Sequence, residues 1–209
     1  MRFSPYAWTK ADLVGGDLSL DFVNTASAWA SGDPIDRLGG AGGLADWAVV
    51  TGLAEPHDTA ALKAACDQEP AKAAALFDEA TTLRALLWRL FTAAAQGGRA
   101  LPQDLAALHD WICRARAARE LRQTRDGFRE GFRDGVPPGE KLLLSIALAA
   151  GRLLTEGPLD RLRACGGADC EWMFLDLSKN GSRRWCSMAT CGNAAKVKKF
   201  RTRKTGAGQ

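Results

Sequence analysis

Four cysteines near the C-terminal end constrain this chain more than any other feature. Cys165 and Cys170 form one C-x4-C pair, Cys186 and Cys191 form a second, and fifteen residues separate the two pairs. Two pairs at this spacing can surround a single Zn²⁺ ion with a tetrahedron of thiolates. Because all four ligands would come from the protein, no position is left for a water molecule. We therefore expect one structural zinc ion rather than a catalytic one.

A set of disulfides is the alternative interpretation of the same four cysteines. The first residues, 1–6, lack the apolar stretch of a signal peptide, and no apolar run approaches the ~18 residues that span a membrane. We therefore expect a cytoplasmic protein with no membrane segment. In that reducing compartment, paired cysteines bind metal more often than they form disulfides. Cys66 and Cys113 each stand alone in a helical pattern, and we expect both to be small buried side chains.

Positive charge is concentrated in the same region. The 209-residue chain has a net charge of +4, but residues 160–209 contain 11 Lys and Arg against 4 Asp and Glu, which is +7 and leaves −3 for residues 1–159. This asymmetry predicts a binding appendage for a polyanion, and DNA is the first candidate. A solvated cationic tail kept for solubility is the alternative. The candidate nucleic-acid-binding residues are Lys179, Arg183, Arg184, Asn193, Lys196, Lys198, Lys199, Arg201, Arg203 and Lys204.

Residues 1–158 are predicted to form a mainly α-helical domain. Apolar residues recur at three- and four-residue steps in residues 71–95, after Pro102 and after Pro138, which is typical of helices with one buried face. A proline suits the first position of a helix, where its missing N–H is not needed. Shorter helices are predicted over residues 44–51 and 58–67. Residues 18–25 fit either a helix capped by Asp17 or a strand, and the glycine-rich repeat 127–135 favours a short hairpin.

The cysteine-rich segment, residues 159–205, is predicted to form a small ββα zinc module. Residues 171–176 have the composition of a strand, Asn180-Gly181 is a tight-turn signal, and residues 183–185 would return as the second strand. A basic helix follows Cys191, with Ala194 and Val197 on its packed side. Asn193 could cap this helix or contact a base edge. Residues 206–209 are expected to be a disordered tail.

The motifs of this segment resemble those of the CGNR zinc finger, and the helical part resembles the ABATE domain that precedes it. The resemblance covers nearly the whole chain. It implies a bacterial, stress-induced transcription regulator whose zinc module binds DNA. One residue departs from the pattern: Ala194 stands where the family has the arginine that gives the finger its name. The matching segments are Leu20–Thr25, Cys165-x4-Cys170, Phe174–Asn180, Ser182–Met188 and Cys191-Gly192-Asn193.

These observations favour a DNA-binding regulator whose helical domain senses a ligand or forms a homodimer. Asn24 is one polar candidate for a ligand pocket. The alternative is a protein-interaction module in which zinc only holds the C-terminal segment in place. An enzyme is not expected, because His57 and His109 stand outside any nucleophile or metal-ligand motif.

Overall fold

The computed structural model describes residues 1–206, with side chains through Lys199. Over this range the chain is mainly α-helical, as predicted, with three small two- or three-stranded sheets. The helices are α1 (Leu18–Val23), α2 (Ala41–Thr51), α3 (Pro56–Gln68), α4 (Pro70–Ala95), α5 (Pro102–Ala117), α6 (Pro138–Glu156) and α7 (Asn193–Gly206). The strands are β1 (Arg2–Phe3), β2 (Ala26–Ser27), β3 (Ile35–Asp36), β4 (Arg119–Thr124), β5 (Gly127–Phe132), β6 (Leu162–Ala164) and β7 (Met173–Leu175).

Helices α4 and α6 form the centre of the main core. Leu83 and Leu87 on α4, and Leu143 and Ile146 on α6, are fully buried in one apolar cluster. Four of the seven helices within residues 1–206 begin with proline at their first residue, which fixes the backbone angle φ where no N–H donor is required. The starts at Pro102 and Pro138 are those expected from the sequence. Among the helices of residues 1–206, none combines the length and the apolar character needed to cross a membrane.

Residues 18–23 form helix α1, which decides between the two conformations that the sequence allowed. Asp17 is the N-cap, and its Oδ1 accepts a hydrogen bond from the backbone N–H of Ser19 at 2.8 Å. This bond satisfies a donor that the first turn of a helix leaves without a partner. Five of the six helix residues are buried, so α1 is enclosed by the rest of the core.

The buried carboxyl group of Asp21 on α1 makes stability depend on pH. Burial raises its pKa from 3.8 to about 7, although the N–H of Gly15 donates to Oδ1 at 2.8 Å and favours the charged form, while Asp17 adds a smaller upward shift. The folded state therefore binds more protons than the unfolded state between the two pKa values. Stability is highest below pH 4 for this group and falls as pH rises toward 7.

We predict that Asp21→Asn will flatten the pH dependence of folding between pH 4 and pH 7. The wild-type contribution of this group falls by up to about 1.4 kcal/mol per pH unit in that window, and asparagine does not titrate but keeps an oxygen for the Gly15 N–H. Urea unfolding at a series of pH values measures the slope. Asp78→Asn, which changes an exposed carboxylate on α4, is the control. An unchanged slope in Asp21→Asn would contradict the assignment.

Three local predictions need correction. Helix α2 begins at Ala41 rather than at Leu44, so three residues of the glycine-rich segment 39–43 are helical; a Cβ at Gly43 would lie 1.8 Å from the carbonyl oxygen of Leu38. The hairpin is longer than residues 127–135, because that repeat forms strand β5 and pairs with β4 upstream. The side chain of Cys113 is exposed, and that of Cys66 is half-buried.

A buried ion pair connects the small sheet β1-β3-β2 to helix α4. Strand β3 is parallel to β1 and antiparallel to β2. The guanidinium of Arg84 is 0% exposed and donates to Asp36 Oδ1 on β3 at 2.6 Å and to Thr25 Oγ1 at 2.8 Å. Burial lowers the pKa of Arg84, whereas the adjacent Asp36 carboxylate opposes that shift. The pair therefore places two charged groups inside the core, where removal of either partner would leave the other as a buried, uncompensated charge.

The cysteine-rich segment is built into the core of the helical part. Strands β6 and β7 are antiparallel, with Leu162 opposite Leu175. Alternate residues of β7 point to opposite faces, so Met173 and Leu175 belong to the main core while Phe174 packs in a second cluster with Trp172. The boundary predicted at residue 158 therefore separates two segments of sequence that share one apolar core.

Asn24 connects α1 to this hairpin and does not line a ligand pocket. Its Nδ2 donates to the carbonyl oxygen of Met173 at 2.8 Å, and its Oδ1 accepts from the N–H of Met173 at 2.7 Å. The side chain is buried, and both of its polar groups are satisfied by backbone. The backbone N–H of Leu175 also donates to the carbonyl of Gly15 at 2.9 Å. These bonds hold β7 against the start of α1.

Candidate metal centre and nucleic-acid surface

The four predicted cysteines converge at one place. Cys165 follows β6 and Cys170 precedes β7, so the loop of this hairpin carries the first pair. Cys186 lies on the loop that follows, and Cys191 lies on a helical turn, Met188–Gly192, that leads directly into α7. The four Sγ atoms all lie within 4.8 Å of one another.

The distances between the sulfur atoms fit a tetrahedral zinc site. Cys186 Sγ lies 3.6 Å from Cys170 Sγ and 3.6 Å from Cys191 Sγ. Four sulfurs at the usual Zn–S distance of about 2.3 Å lie about 3.8 Å apart, whereas two sulfurs in a disulfide lie about 2.05 Å apart. The disulfide interpretation is therefore excluded for this arrangement. The backbone N–H groups of Cys186 and Gly167 donate to Cys165 Sγ at 3.2 and 3.4 Å, as expected for a charged thiolate.

The electrostatics of the sulfur cluster favour a bound cation. Hydrogen bonds from the thiols of Cys170 and Cys186, and from backbone N–H groups, lower the pKa of Cys165 to about 2. The same interactions with Cys165 raise the pKa of Cys170, and they raise that of Cys186 to about 12. One thiolate therefore forms readily, and further thiolates beside it are opposed by like charge. A divalent ion between the sulfurs removes that opposition. The four cysteines form one structural zinc site.

The second predicted strand of the zinc module, residues 183–185, is not a strand. The strand that pairs with β7 is instead β6, which lies before the first cysteine. The cause is Asp176, a buried carboxylate that follows β7. Its Oδ1 accepts from the N–H of Ser178 at 3.0 Å, and its Oδ2 accepts from the N–H of Arg183 at 2.8 Å. These bonds turn the chain after Leu175, so the N–H of Arg183 is not available to a strand ladder.

Asp176 is a positioning residue that the sequence analysis did not identify. Hydrogen bonds from the Ser178 hydroxyl, and from the backbone N–H groups of Arg183 and Ser178, lower the pKa of this carboxyl group. It therefore stays charged and holds the turn over a wide pH range. The sequence does contain a signal for this role, because Asp176 directly follows an apolar β-rich run and precedes the turn residues Ser178, Asn180 and Gly181. Aspartate side chains in such positions commonly accept hydrogen bonds from backbone N–H groups of the turn.

The side chain of Arg183, one of the predicted nucleic-acid contacts, is already engaged by groups of the protein itself. Its guanidinium lies 4.1 Å from the centre of the Phe174 ring, donates through Nε to the carbonyl of Trp185 at 3.0 Å, and also donates to the carbonyl of Cys186. A further bond reaches the carbonyl of Val14 at 3.3 Å. The side chain is half-buried and occupied by backbone acceptors. Arg183 thus supports the loop of Cys186 from inside.

Lys179 and Arg184 remain on the surface of the module. Both side chains are exposed, and the Arg184 guanidinium lies 5.4 Å from the centre of the Trp185 ring. Beside them is a cleft of about 490 Å³. Its polar lining is rich in hydroxyl groups and cations, which suits an anionic partner such as a phosphate. The residues that line it are Ser178, Ser182, Arg183, Arg184, Trp185, Cys186, Ser187 and Met188.

Helix α7 displays its lysines to solvent, and within the described residues 193–199 Ala195 alone is half-buried. Lys196, Lys198 and Lys199 are exposed, and so are Ala194 and Val197, which were expected to pack; Val197 is 50% exposed. The helix makes its main contacts with the turn Met188–Gly192 that precedes it. The side chains of Arg201, Arg203 and Lys204 lie outside the described residues, and so do residues 207–209 of the predicted tail.

Asn193 does not cap the basic helix. The cap of the continuous turn that leads into α7 is Ser187, whose hydroxyl accepts from the N–H of Ala189 at 3.2 Å. Asn193 lies inside the helical run, where its Nδ2 donates to the carbonyl of Ala189 at 3.2 Å. The side chain is exposed on the same helix as the lysines. Because the turn that carries Cys191 is itself helical, the helical run begins several residues upstream of the expected position.

Comparison with known protein families agrees with this architecture. The CGNR zinc finger matches residues 161–204, and the family described as "Putative stress-induced transcription regulator", ABATE, matches residues 16–157. No curated protein matches the chain. The ABATE match covers more than half of the sequence and the finger match contains all four zinc ligands. The chain therefore belongs to the ABATE family and carries a C-terminal CGNR zinc finger.

Proposed function

We propose that this protein is a zinc-dependent regulator that binds DNA through the exposed cations of its zinc module. The observation that carries the proposal is the segregation of charge: Lys179, Arg184, Lys196, Lys198 and Lys199 are all exposed on one zinc-organised segment. Cations that are held together in this way repel one another. The phosphates of a DNA duplex would relieve that repulsion and release counterions.

The cleft beside Arg184 supports a phosphate contact at a defined place. It combines the hydroxyls of Ser178, Ser182 and Ser187 with a guanidinium that is stacked near Trp185. Hydroxyl groups and arginine are common donors to phosphate oxygens, and these contacts position a protein on DNA. The absence of an arginine at Ala194 reduces the number of contacts that α7 can make. A regulator that binds bacterial DNA acts in the cytoplasm. The helical part of the protein would sense a ligand or form a homodimer.

The triple variant Arg184→Gln/Lys196→Gln/Lys199→Gln tests DNA binding. We expect its affinity for duplex DNA to fall at least tenfold at low salt, and its salt dependence to become flatter by about 2–3 units in the slope of log K against log salt, since each lost phosphate contact removes about 0.9. Fluorescence anisotropy at several salt concentrations gives both quantities.

The control variant is Arg125→Gln/Arg129→Gln/Arg133→Gln. It removes the same three charges from exposed positions on and beside the β4–β5 hairpin, away from the zinc module. If DNA binding depends only on net charge, both triple variants will lose affinity equally. That result, or binding by the wild type that does not respond to salt, would refute the assignment of the surface.

A protein-interaction module with a purely structural zinc is the second candidate. Exposed apolar side chains on the zinc module favour it, since Leu177, Met188 and Val197 are all at least half exposed. This function predicts that the lysine and arginine variant leaves partner binding unchanged. Val197→Ser would instead weaken it. Measuring self-association of the two variants by sedimentation distinguishes the candidates.

A further inference from the structure

A groove on the helical part, with no zinc ligand in its lining, has the character of a ligand site. It runs between α5 and α6, which pack closely because residue 151 is glycine; a Cβ there would lie 2.6 Å from Ile112 Cδ1. Two adjoining cavities of about 360 Å³ and about 340 Å³ share Arg116, Leu148 and Arg152 as lining residues. Each is of the size usual for small-molecule sites.

Two arginines from neighbouring helices line both cavities of this groove. Arg116 near the end of α5 and Arg152 on α6 are both exposed, and neither guanidinium makes an ion pair or hydrogen bond within the described part of the chain. Their neighbours differ: Arg119 is paired with Glu130 at 3.3 Å, and Arg114 with Glu140 at 3.3 Å. Two guanidinium groups without a carboxylate partner can together hold one anionic group.

The rest of the groove is apolar on both sides of the two arginines. In the first cavity the floor is formed by Leu18, Leu148 and Ala149, with the Ser145 hydroxyl beside them. In the second, Leu105, Leu108, Ile112 and Leu154 continue the apolar surface along α5 and α6. The segment of α6 from residue 145 to residue 155 is about 15 Å long, since an α-helix rises about 1.5 Å per residue. An extended eight-carbon chain is shorter than this segment, so it can lie along the groove within its length.

The charges in the groove favour a single negative charge on the ligand. In the first cavity Arg116, Arg119 and Arg152 stand against Glu130, which is already paired with Arg119. In the second cavity Glu156 lies at the far end and His109 lies on α5. A dianion would meet Glu156 and Glu130 as well as the arginines. A monoanion at the two arginines, with an apolar body along the helices, fits the groove better.

We propose that this groove binds a small amphipathic carboxylate, such as a medium-chain fatty acid. The carboxylate lies between Arg116 and Arg152, and the hydrocarbon chain lies along Leu148, Ile112 and Leu154. The site gives the helical part a ligand of defined chemical class. It stands independently of DNA binding, because the ligand contacts none of the residues of the zinc module.

Calorimetric titration of the full-length zinc-loaded protein with octanoate tests the proposal. We expect saturable binding with Kd below about 1 mM, at least tenfold weaker binding of 1-octanol, and at least tenfold weaker binding of acetate. The first comparison removes the charge and the second removes the apolar chain. Octanol or acetate that binds as well as octanoate, or octanoate that does not bind, would overturn the proposal.

Two variants assign the binding to this groove. Arg116→Gln/Arg152→Gln should weaken octanoate binding at least tenfold. The control Arg125→Gln/Arg129→Gln removes the same charge from exposed residues of the hairpin that do not line the groove, and it should change octanoate binding less than about twofold. Leu148→Trp places a large side chain in the half-buried floor and should abolish binding without a change of charge. Unaltered octanoate binding in both the arginine and the tryptophan variants would contradict the location. No DNA is present, so the outcome does not depend on the proposed regulator function.

Discussion

Cys186→Ser is expected to release the zinc ion and to unfold the C-terminal segment. Cys186 is buried, and its sulfur lies 3.6 Å from the sulfurs of both Cys170 and Cys191, so no other described group can replace it without rearrangement. Structural zinc contributes on the order of 10 kcal/mol to small zinc modules. This module has a small apolar cluster of its own, and the metal must supply much of its folding free energy.

The effect should extend beyond the zinc module. Leu162, Met173 and Leu175 on strands β6 and β7 are buried in the main core with α4 and α6, and Asn24 bonds the backbone of Met173. Loss of the metal therefore exposes part of the helical core. We expect the free energy of unfolding of the whole chain to fall by several kcal/mol, which is the order of magnitude found when a large side chain is removed from a protein core.

Zinc content and urea unfolding of Cys186→Ser, with Cys113→Ser as the control, measure both effects. Cys113 is exposed and lies outside the sulfur cluster, so its replacement should leave zinc and stability unchanged. A chelator should lower the stability of wild type toward that of Cys186→Ser. Equal stability of the two serine variants would refute the claim that zinc is integral to this fold.

Asp36→Ala is expected to destabilise the protein by about 3–5 kcal/mol, because it leaves a charged arginine without a partner inside the core. The Arg84 side chain is fully buried, and its Nε has no hydrogen-bond partner in the described residues. Its remaining acceptors would be the hydroxyl and carbonyl of Thr25 and the sulfur of Met1. None of these carries a charge to balance the guanidinium.

The double variant Asp36→Ala/Arg84→Met should recover a large part of this loss. An apolar side chain of similar length removes the buried charge altogether, which is often neutral or stabilising. Asp46→Ala is the matched control, because Asp46 pairs with Lys63 on the surface, where an ion pair contributes about 0–1 kcal/mol. Urea is the suitable denaturant, since guanidinium salt would screen the charges. A double variant no more stable than Asp36→Ala would contradict this account of the pair.

The helices could be predicted from the sequence because their signals are local. Pro102 and Pro138 mark two helix starts, and the apolar period of residues 71–95 follows α4 closely. The metal ligands were also predictable, since four cysteines in two equal pairs specify a chemistry without a three-dimensional context. In each case the necessary information lies within one turn or one loop of the chain.

The pairing of strands in the zinc module could not be predicted in the same way. Asn180-Gly181 is a strong turn signal, but this turn is held by hydrogen bonds to the Asp176 carboxylate and does not connect two paired strands. The strand that pairs with β7 is the three-residue strand β6, before Cys165. A strand of three residues shows no clear alternation in sequence. Its position is fixed by Leu162, which is buried against the main core.

Cations look alike in a sequence but differ in their surroundings. Arg183 and Arg184 are neighbours, yet the first bonds backbone carbonyls beneath the Cys186 loop and the second is exposed beside a cleft. Arg84 lies four residues after Ala80, on the core face of α4, so its burial follows from the period of the helix. Its partner Asp36 is far away in the sequence, and only the fold brings the two charges together.

X-ray absorption spectroscopy at the zinc edge of the purified full-length protein tests the central claim most directly. We expect one zinc ion per chain with a first shell of four sulfur atoms at about 2.3 Å. A first shell containing nitrogen or oxygen would mean that one of Cys165, Cys170, Cys186 and Cys191 is not a ligand. A zinc-free protein that is fully folded would contradict the account of how this C-terminal segment is held together.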